Sequence, residues 1–339
     1  MQYRAILVGL TLMLAGCEEG LFSSVDIASN DLEEAVSGCG DDPWARFRVS
    51  AIDAPPADSE AYVVPDGSRR SSLEDALDAF QDESYESAVD NAGDAAYELC
   101  RKDSEVGTLV FWYSANAGEG HARWVMRVSD DARPLVVESP HSFFEGHTME
   151  QAVETFQGLD ARALLVNAGH RCANQTASGC DGTTSVCGNS SEPFRESDMA
   201  HTVQSFFQVA HRRIAAAYPE TCTVNLHGMS RDGFSLSNGT TNDTQADTPV
   251  AQFYAELDSR FPDEQVTTCN AFDDVTADEH LCGTTNVQGR VLNGSAQACT
   301  EPAASASGRF IHLEQNLSIR ESETSRNEVI QALDAIVPD

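Results

Sequence analysis

Two histidines and two glutamates in this 339-residue sequence are of the types that bind a metal ion and move a proton. His141 and Glu145 stand directly after an apolar run. His227 ends a second apolar run, and Glu314 lies inside a third. The composition of each run predicts a strand, and open α/β sheets place their chemistry at the carboxyl ends of strands. If the three strands are neighbours in one sheet, the four side chains meet.

His141, Glu145 and His227 would make the ligand set of a zinc hydrolase, which needs three ligands and one position left for water. Bound zinc lowers the pKa of that water, polarises the scissile carbonyl and stabilises the oxyanion. A separate carboxylate must take the proton of the water and pass it to the leaving nitrogen. Glu314 has that role in this interpretation, and one zinc ion per chain is the predicted cofactor.

Three further residues are candidate substrate contacts. Arg171 could hold a substrate carboxylate through a bidentate pair. Asn174 follows it in the same loop, and His211 lies on a predicted helix whose apolar stripe faces the core. The predicted substrate is therefore a small molecule or peptide that carries a free carboxylate.

Each candidate ligand also has a purely structural interpretation. His141 follows a proline and could be a loop histidine that bonds a carbonyl. Glu145 could be an exposed loop acid, with Glu138 or His147 as the ligand in its place. Glu314 could lie on a solvated face of its strand, because side chains alternate between the two faces.

A serine nucleophile is another hypothesis, because Ser230 lies two positions after Gly228. A nucleophile elbow needs glycine two positions before the serine and two positions after it. Gly228 fits the first position, but Asp232 occupies the second. The match to a serine hydrolase is thus incomplete.

Strand-like and helix-like segments alternate after residue 134, which predicts an α/β fold. The expected sheet is mostly parallel or mixed, with helices on both faces and disulfide-braced loops. The main predicted elements are two helices over 73–99, a hairpin over 108–128, and helices over 148–156 and from Asp198 to about Tyr218. The predicted organisation is a signal peptide (1–16), a tether and surface segment (17–70), a helical and β-hairpin part (71–133) and an α/β hydrolytic domain (134–339).

The amino terminus has the pattern of a targeting segment. Arg4 precedes an apolar run that is too short to span a bilayer and that ends in Leu-Ala-Gly-Cys17. This ending is similar to the lipobox of bacterial lipoproteins, in which the cysteine is lipidated. The resemblance implies an extracytoplasmic protein of the cell envelope with a lipid anchor at Cys17, on the outer membrane if the cell is Gram-negative. An ordinary cleaved signal peptide is the alternative.

Nine cysteines follow Cys17. In an oxidising compartment most of them should be paired, and because nine is odd, one should be free or paired between chains. Three crowd one loop and suggest a local staple, and two other pairs are plausible partners. These are Cys172, Cys180 and Cys187 in the loop, then Cys222 with Cys269 and Cys282 with Cys299.

The formal net charge is −33, from 54 acidic and 21 basic residues. A surface of this charge repels phosphate backbones, so the composition disfavours nucleic-acid binding. High solubility is the simplest interpretation of the acidity.

The order of the candidate residues resembles the zinc carboxypeptidase superfamily, in the branch of N-formylglutamate amidohydrolases and poly-γ-glutamate hydrolases. Pro140-His141-Ser142 is similar to the Pro-His-Ser of that branch's first ligand, and Leu226-His227-Gly228-Met229 resembles its second histidine element. The segment from Glu314 to Arg320 resembles its terminal Glu and Arg segment. The resemblance covers about 134–337.

The sequence departs from that family at two places. Asn225 stands where an aspartate often precedes the second histidine, and three residues separate His141 from Glu145 where the peptidases have two. The resemblance implies a zinc-dependent amidohydrolase or carboxypeptidase-like enzyme that cleaves a γ-glutamyl, formyl-amino-acid or cell-wall peptide amide. The alternative is a non-catalytic, disulfide-stapled surface lipoprotein that binds a ligand.

Overall fold

The nine-stranded sheet at the centre of the molecule places the candidate ligands at the carboxyl ends of its central parallel strands. The computed structural model of the chain describes residues 31–48, 53–188 and 190–338. The predicted signal peptide and Cys17 lie outside the described residues. The described strands are β1 (Tyr97–Asp103), β2 (Thr108–Ser114), β3 (Arg123–Val128), β4 (Arg133–Ser139), β5 (Ala161–Val166), β6 (Thr183–Thr184), β7 (Glu192–Pro193), β8 (Cys222–Gly228), β9 (Phe234–Ser237), β10 (Val266–Thr268) and β11 (Phe310–Gln315).

The strand order in the large sheet is β1-β2-β3-β5-β4-β8-β11-β9-β10. The four central strands β5, β4, β8 and β11 are parallel to one another. The antiparallel strands β1, β2 and β3 join this centre through β5, and β9 runs antiparallel to β11. The sheet is therefore mixed, and its parallel centre places three strand ends side by side.

Helices cover both faces of the sheet, which confirms the predicted α/β fold class. The described helices are α1 (Pro43–Phe47), α2 (Gly67–Gln81), α3 (Tyr85–Asp94), α4 (Thr148–Gly158), α5 (Phe206–Ala217), α6 (Pro249–Arg260), α7 (Val287–Leu292), α8 (Leu317–Glu321) and α9 (Glu323–Asp334). Within the described part of the chain, no helix is long and apolar enough to cross a membrane.

Two separate hydrophobic cores form because strand side chains alternate between the faces. One core packs Val137 of β4 and Leu226 of β8 against Phe156 of α4 and Phe253 of α6. The other packs the second face against α2, α3 and α5, and its largest buried side chains are Trp112, Trp124, Phe206 and Phe207. Each fully buried side chain of this size contributes about 2–3 kcal/mol of transfer free energy.

Two local predictions were wrong. Leu99 was assigned to a helix, but it belongs to β1, whose residues 97–103 pair with β2 across a full antiparallel register. The sequence also predicts a helix that runs from Asp198, as its cap, to about Tyr218. That helix begins only at Phe206, and the hydroxyl of Ser205 accepts a hydrogen bond from Gln208 N at its start. Asp198 is left free to bond side chains.

Four disulfides brace the structure, and Cys222 is the one free thiol among the described cysteines. The proposed pairs Cys222 with Cys269 and Cys282 with Cys299 were wrong, because Cys269 and Cys282 bond each other, Cys299 bonds Cys180, and the half-buried Cys222 at the start of β8 is left as a thiol. The bonded pairs are Cys39–Cys100, Cys172–Cys187, Cys180–Cys299 and Cys269–Cys282. The local staple within the 172–187 loop is present. The disulfides are consistent with an oxidising, extracytoplasmic location.

Candidate metal site

Register and alternation bring the polar residues of β4, β8 and β11 onto one face of the sheet. Glu138 pairs with Asn225, Asn225 pairs with His312, and His227 pairs with Glu314. Their apolar neighbours in sequence point to the opposite face and join the first core. Because the three strands are parallel, His227 and Glu314 lie at the same carboxyl edge at which β4 ends.

The turn after β4 carries the other two candidate ligands. The carbonyl of His141 accepts hydrogen bonds from the backbone N–H groups of Phe144 and Glu145, both at 2.9 Å. The carbonyl of Glu145 accepts from the Thr148 hydroxyl at 2.8 Å, at the start of α4. This tight turn folds the Glu145 carboxylate back against the His141 ring.

Two imidazole nitrogens converge on this carboxylate. His141 Nδ1 lies 2.7 Å from Glu145 Oε1, and His227 Nδ1 lies 3.2 Å from Glu145 Oε2. All three side chains are buried. The three ligand atoms lie within 4.8 Å of one another, so the group could hold a metal ion. Two histidines and one carboxylate also match the donor set of hydrolytic zinc sites.

The outer nitrogens of both rings are fixed by other side chains. His141 Nε2 bonds Asp198 Oδ1 at 2.8 Å, and His227 Nε2 bonds Asn225 Oδ1. When these nitrogens carry the proton, each Nδ1 presents a lone pair to the centre of the group. Metal-binding histidines in proteins are typically oriented in this way, by an acceptor on the nitrogen that faces away from the metal.

Asp198 is the centre of a buried ion-pair network. Its Oδ2 accepts from Arg171 Nε at 3.0 Å and also from Arg171 Nη2. Its Oδ1 bonds His201 Nδ1 at 2.9 Å as well as the His141 ring. Burial opposes ionisation, but the charges of Arg171, His201 and His141 hold the pKa of Asp198 well below its usual range.

A second buried network supports His227 from behind. Asn225 Nδ2 donates to Glu138 Oε2 at 2.8 Å, and Glu138 Oε1 bonds His211 Nδ1 at 2.7 Å. Glu138 and His211 are both buried. Asn225 therefore stands between His227 and the Glu138 carboxylate and links them through its side-chain amide.

Glu314 lies beside the ligand group on the open side. Burial, and then the negative charge of Glu145, raise the pKa of Glu314 to about 8. Its Oε1 lies 3.8 Å from His312 Nε2, and its Oε2 has no hydrogen-bond partner among the described residues. Glu314 thus lines the cavity, and no hydrogen bond with a described residue accounts for the burial of its Oε2.

Burial and neighbouring charges act in opposite directions on the protonation of the ligand group. Burial would raise the pKa of Glu145, but His141 and His227 hold it well below its usual value. Burial and Arg171 would lower the pKa of His141, but Glu145 and Asp198 outweigh them and raise it. Burial lowers the pKa of His227. The site therefore keeps an anionic carboxylate between two imidazoles, where the positive charge of a proton or of a bound cation is stabilised.

These residues line a cavity of about 330 Å³. Its inner end is formed by the ligand group, Arg171, Glu314 and His312. Its outer wall comes from the disulfide-braced loops and is mainly hydroxyl-bearing or apolar, with Thr183, Thr184, Val186, Phe194, Leu281, Thr284 and Thr285. A cavity of this size holds a small molecule or the reacting part of a peptide.

The structure separates the predicted substrate contacts. Arg171 lines the cavity, but two of its nitrogens bond Asp198 and its Nη1 lies 3.6 Å from Glu145 Oε1. Asn174 donates to the backbone carbonyl of Tyr62 at 3.0 Å and does not line the cavity. His211 lies in the buried network behind β4 and does not line it either.

Three functional candidates were not identified from the sequence: Asp198, His201 and His312. The spacing of Asp198 and His201, a carboxylate three positions before a histidine, was the available signal for that pair. His312 could have been found from Glu314, because residues two apart on a strand share a face. Of the alternative ligands, His147 is exposed and Glu138 bonds His211, so neither reaches the ligand group.

No family model matches the chain, and no curated protein matches it. Among solved structures, the chain is similar to YndL in a zinc-free apo form, with TM-score 0.36 and 11% identity over 71% of this chain and 89% of that one. It is also similar to the LapA aminopeptidase of Legionella pneumophila, with TM-score 0.30 and 9% identity over 97% of this chain and 78% of that one. At such TM-scores, neither likeness bears on the chemistry of this site.

Proposed function

We propose that the protein is a zinc-dependent hydrolase of amide bonds. The observation that carries this proposal is the convergence of His141 Nδ1 and His227 Nδ1 on the two oxygens of Glu145, with the Glu314 carboxyl beside them in the cavity. Zinc bound there would supply an activated water and a charge that stabilises the oxyanion. His141, Glu145 and His227 would hold it.

Glu314 is the acid/base of the proposed reaction. It accepts a proton from the attacking water while the water oxygen bonds the carbonyl carbon and the carbonyl oxygen takes the negative charge. It then returns the proton to the nitrogen as the C–N bond breaks. A carboxyl whose pKa is raised to about 8 exchanges its proton near neutral pH, which suits a group with both tasks.

The substrate class is a finer part of the proposal. We infer a small or peptide amide, because the cavity volume suits one and its outer wall offers hydroxyl and apolar contacts. That the substrate carries a free carboxylate stays a prediction. Arg171 could meet such a group through Nη1, which lies 3.4 Å from His141 Nδ1, or through the second hydrogen of Nη2, since Nε and the first Nη2 hydrogen bond Asp198.

A serine mechanism has less support. Ser230 is exposed and does not line the cavity. Its replacement by alanine is therefore a suitable control for the metal-dependent proposal, because the change should leave both zinc content and hydrolysis intact.

The test measures zinc content and amide hydrolysis in the same preparations. Wild-type protein should hold about one zinc per chain and hydrolyse members of a panel of N-formyl, γ-glutamyl and short peptide amides. A chelator should remove both properties. His227→Ala should lose the zinc and the activity, whereas Glu314→Gln should keep the zinc and lose the activity. Full zinc content in His227→Ala would refute the ligand set, and zinc without hydrolysis of any amide would favour a binding protein.

We further propose that the mature chain is anchored in the cell envelope through a lipid on Cys17. The support is the similarity of residues 14–17 to a lipobox together with the disulfides of the described chain. Radiolabelled palmitate should enter the wild-type protein and not Cys17→Ala. Equal labelling of the two would exclude this anchor.

A further inference from the structure

His312 has a buried imidazole that no hydrogen bond to another described residue holds in place. It lies two residues before Glu314 on β11, and both residues line the cavity. Its Nδ1 has no hydrogen-bond partner among the described residues, and its Nε2 lies 3.8 Å from Glu314 Oε1, which is longer than a hydrogen bond. Buried polar groups are nearly always paired, so the placement of this ring needs an explanation other than a hydrogen bond within the protein.

Packing holds the ring in place. The His227 ring lies against one side, with ring centroids 4.5 Å apart and an interplanar angle of 33°. Gly283 covers the ring as well, with φ of +62°, and a Cβ at this position would come within 2.8 Å of the ring carbons of His312. The backbone approaches the imidazole so closely that only glycine fits. The ring is therefore oriented without using its nitrogens.

The proton of a neutral ring belongs on Nε2. The alternative tautomer would bury the N–H of Nδ1 with no acceptor, and an unpaired buried donor is rarer in proteins than an unpaired acceptor. With the proton on Nε2, His312 presents a donor on the side of Glu314. A substrate oxygen could lie within hydrogen-bond reach of this donor while Glu314 exchanges its proton with the water and the leaving nitrogen.

From this geometry we propose that His312 is a catalytic residue that donates a hydrogen bond from Nε2 to the carbonyl oxygen as that oxygen becomes negative. The inference rests on the proposed hydrolytic function and adds a donor that belongs to the protein itself. Arg171 cannot take this role with its bonded nitrogens, because they are held by Asp198. A fixed donor in a buried site acts mainly on the transition state.

His312→Phe tests the proposal because it keeps a flat ring between Gly283 and His227 but removes both nitrogens. His312→Gln restores a side-chain N–H donor. We expect kcat of His312→Phe on the best amide of the panel to fall about 100- to 1000-fold with KM nearly unchanged, the loss typical for one oxyanion donor. His312→Gln should recover at least part of this loss. His280→Phe is the matched control, because His280 does not line the cavity.

Binding of inorganic phosphate gives a readout that does not depend on turnover. Phosphate is a tetrahedral anion, and its affinity for the zinc-loaded protein can be measured by isothermal titration calorimetry. The dissociation constant should rise about tenfold or more in His312→Phe, as expected for a lost hydrogen bond to a charged group, and little in His312→Gln or His280→Phe. Zinc content should stay at one per chain in every variant.

The outcomes separate this inference from the proposed function. If wild-type protein binds zinc and hydrolyses amides but His312→Phe keeps its kcat and its phosphate affinity, His312 has no catalytic role and the hydrolase proposal stands. If His312→Phe and His312→Gln lose zinc alike, the residue binds or supports the metal and the inference is wrong. If wild-type protein takes up no zinc, both proposals fall.

Discussion

Replacement of Asp198 by asparagine tests how the protein orients its first ligand. Asp198 is buried and contacts three side chains: His141, His201 and Arg171. Asparagine has nearly the same shape, but it removes the negative charge and turns one acceptor into a donor. The NH₂ group must then face either the Arg171 guanidinium or the two imidazoles.

These contacts set the expected loss of stability and the expected loss of zinc affinity. Removal of one partner of a buried ion pair costs about 3–5 kcal/mol, because the remaining charge is left uncompensated. We expect the lower end, about 3 kcal/mol, since the asparagine oxygen still accepts one bond and Glu145 Oε1 lies 3.6 Å from Arg171 Nη1. Zinc affinity should fall about 10- to 100-fold, the usual effect of losing the acceptor behind a metal-binding histidine.

Urea unfolding and zinc competition with a chromophoric chelator measure the two effects in the same preparation. Asp181→Asn is the matched control, because Asp181 also pairs with an arginine, Arg290, but its side chain is 43% exposed and it does not line the cavity. That variant should keep its zinc affinity and lose less stability than Asp198→Asn, because water reaches the Asp181 side of its ion pair. Wild-type zinc affinity in Asp198→Asn would refute the claim that Asp198 orients the His141 ligand.

Two further predictions concern parts of the protein outside the site. Burial lowers the pKa of His121 from 6.5 to about 4, so the folded protein favours the neutral ring. The stability that depends on this neutral ring is complete above pH 6.5 and is lost as the pH falls from 6.5 to about 4. Between pH 7.5 and 4.5, urea unfolding should show wild-type protein losing about 2.5 kcal/mol more than His121→Gln. Equal losses would contradict a buried neutral ring. Burial also raises the pKa of the Cys222 thiol to about 12, so Cys17→Ser protein should give no reaction with Ellman's reagent when folded and one thiol per chain in urea. More than one thiol would contradict the four disulfides.

The four residues predicted from strand ends lie together because β4, β8 and β11 are parallel neighbours in the sheet. Alternation along β8 and β11 fixes which side chains share a face, and an apolar run of strand length can be recognised without a structure. The register between β8 and β11 brings Glu314 and His227 side by side, and the sequence alone does not contain this register.

Long-range contacts explain what the sequence could not predict. Asp198 follows His141 by 57 positions, and its local surroundings resemble a helix start, so nothing near it indicates an ion pair with Arg171. The β1 strand was missed because Ala92, Ala96 and Leu99 continue the helical spacing of the segment before them. The pairing of Cys180 with Cys299 joins loops 119 residues apart, and such pairing depends on the finished fold.

The measurement that tests the central claim most directly is a crystal of the wild-type protein grown with zinc and measured at the zinc absorption edge. We predict one strong anomalous peak at about 2.0–2.2 Å from His141 Nδ1, His227 Nδ1 and a Glu145 oxygen, with Glu314 facing the fourth position. No peak at this place, or a peak held instead by Asp198 and His201, would contradict the proposed metal site.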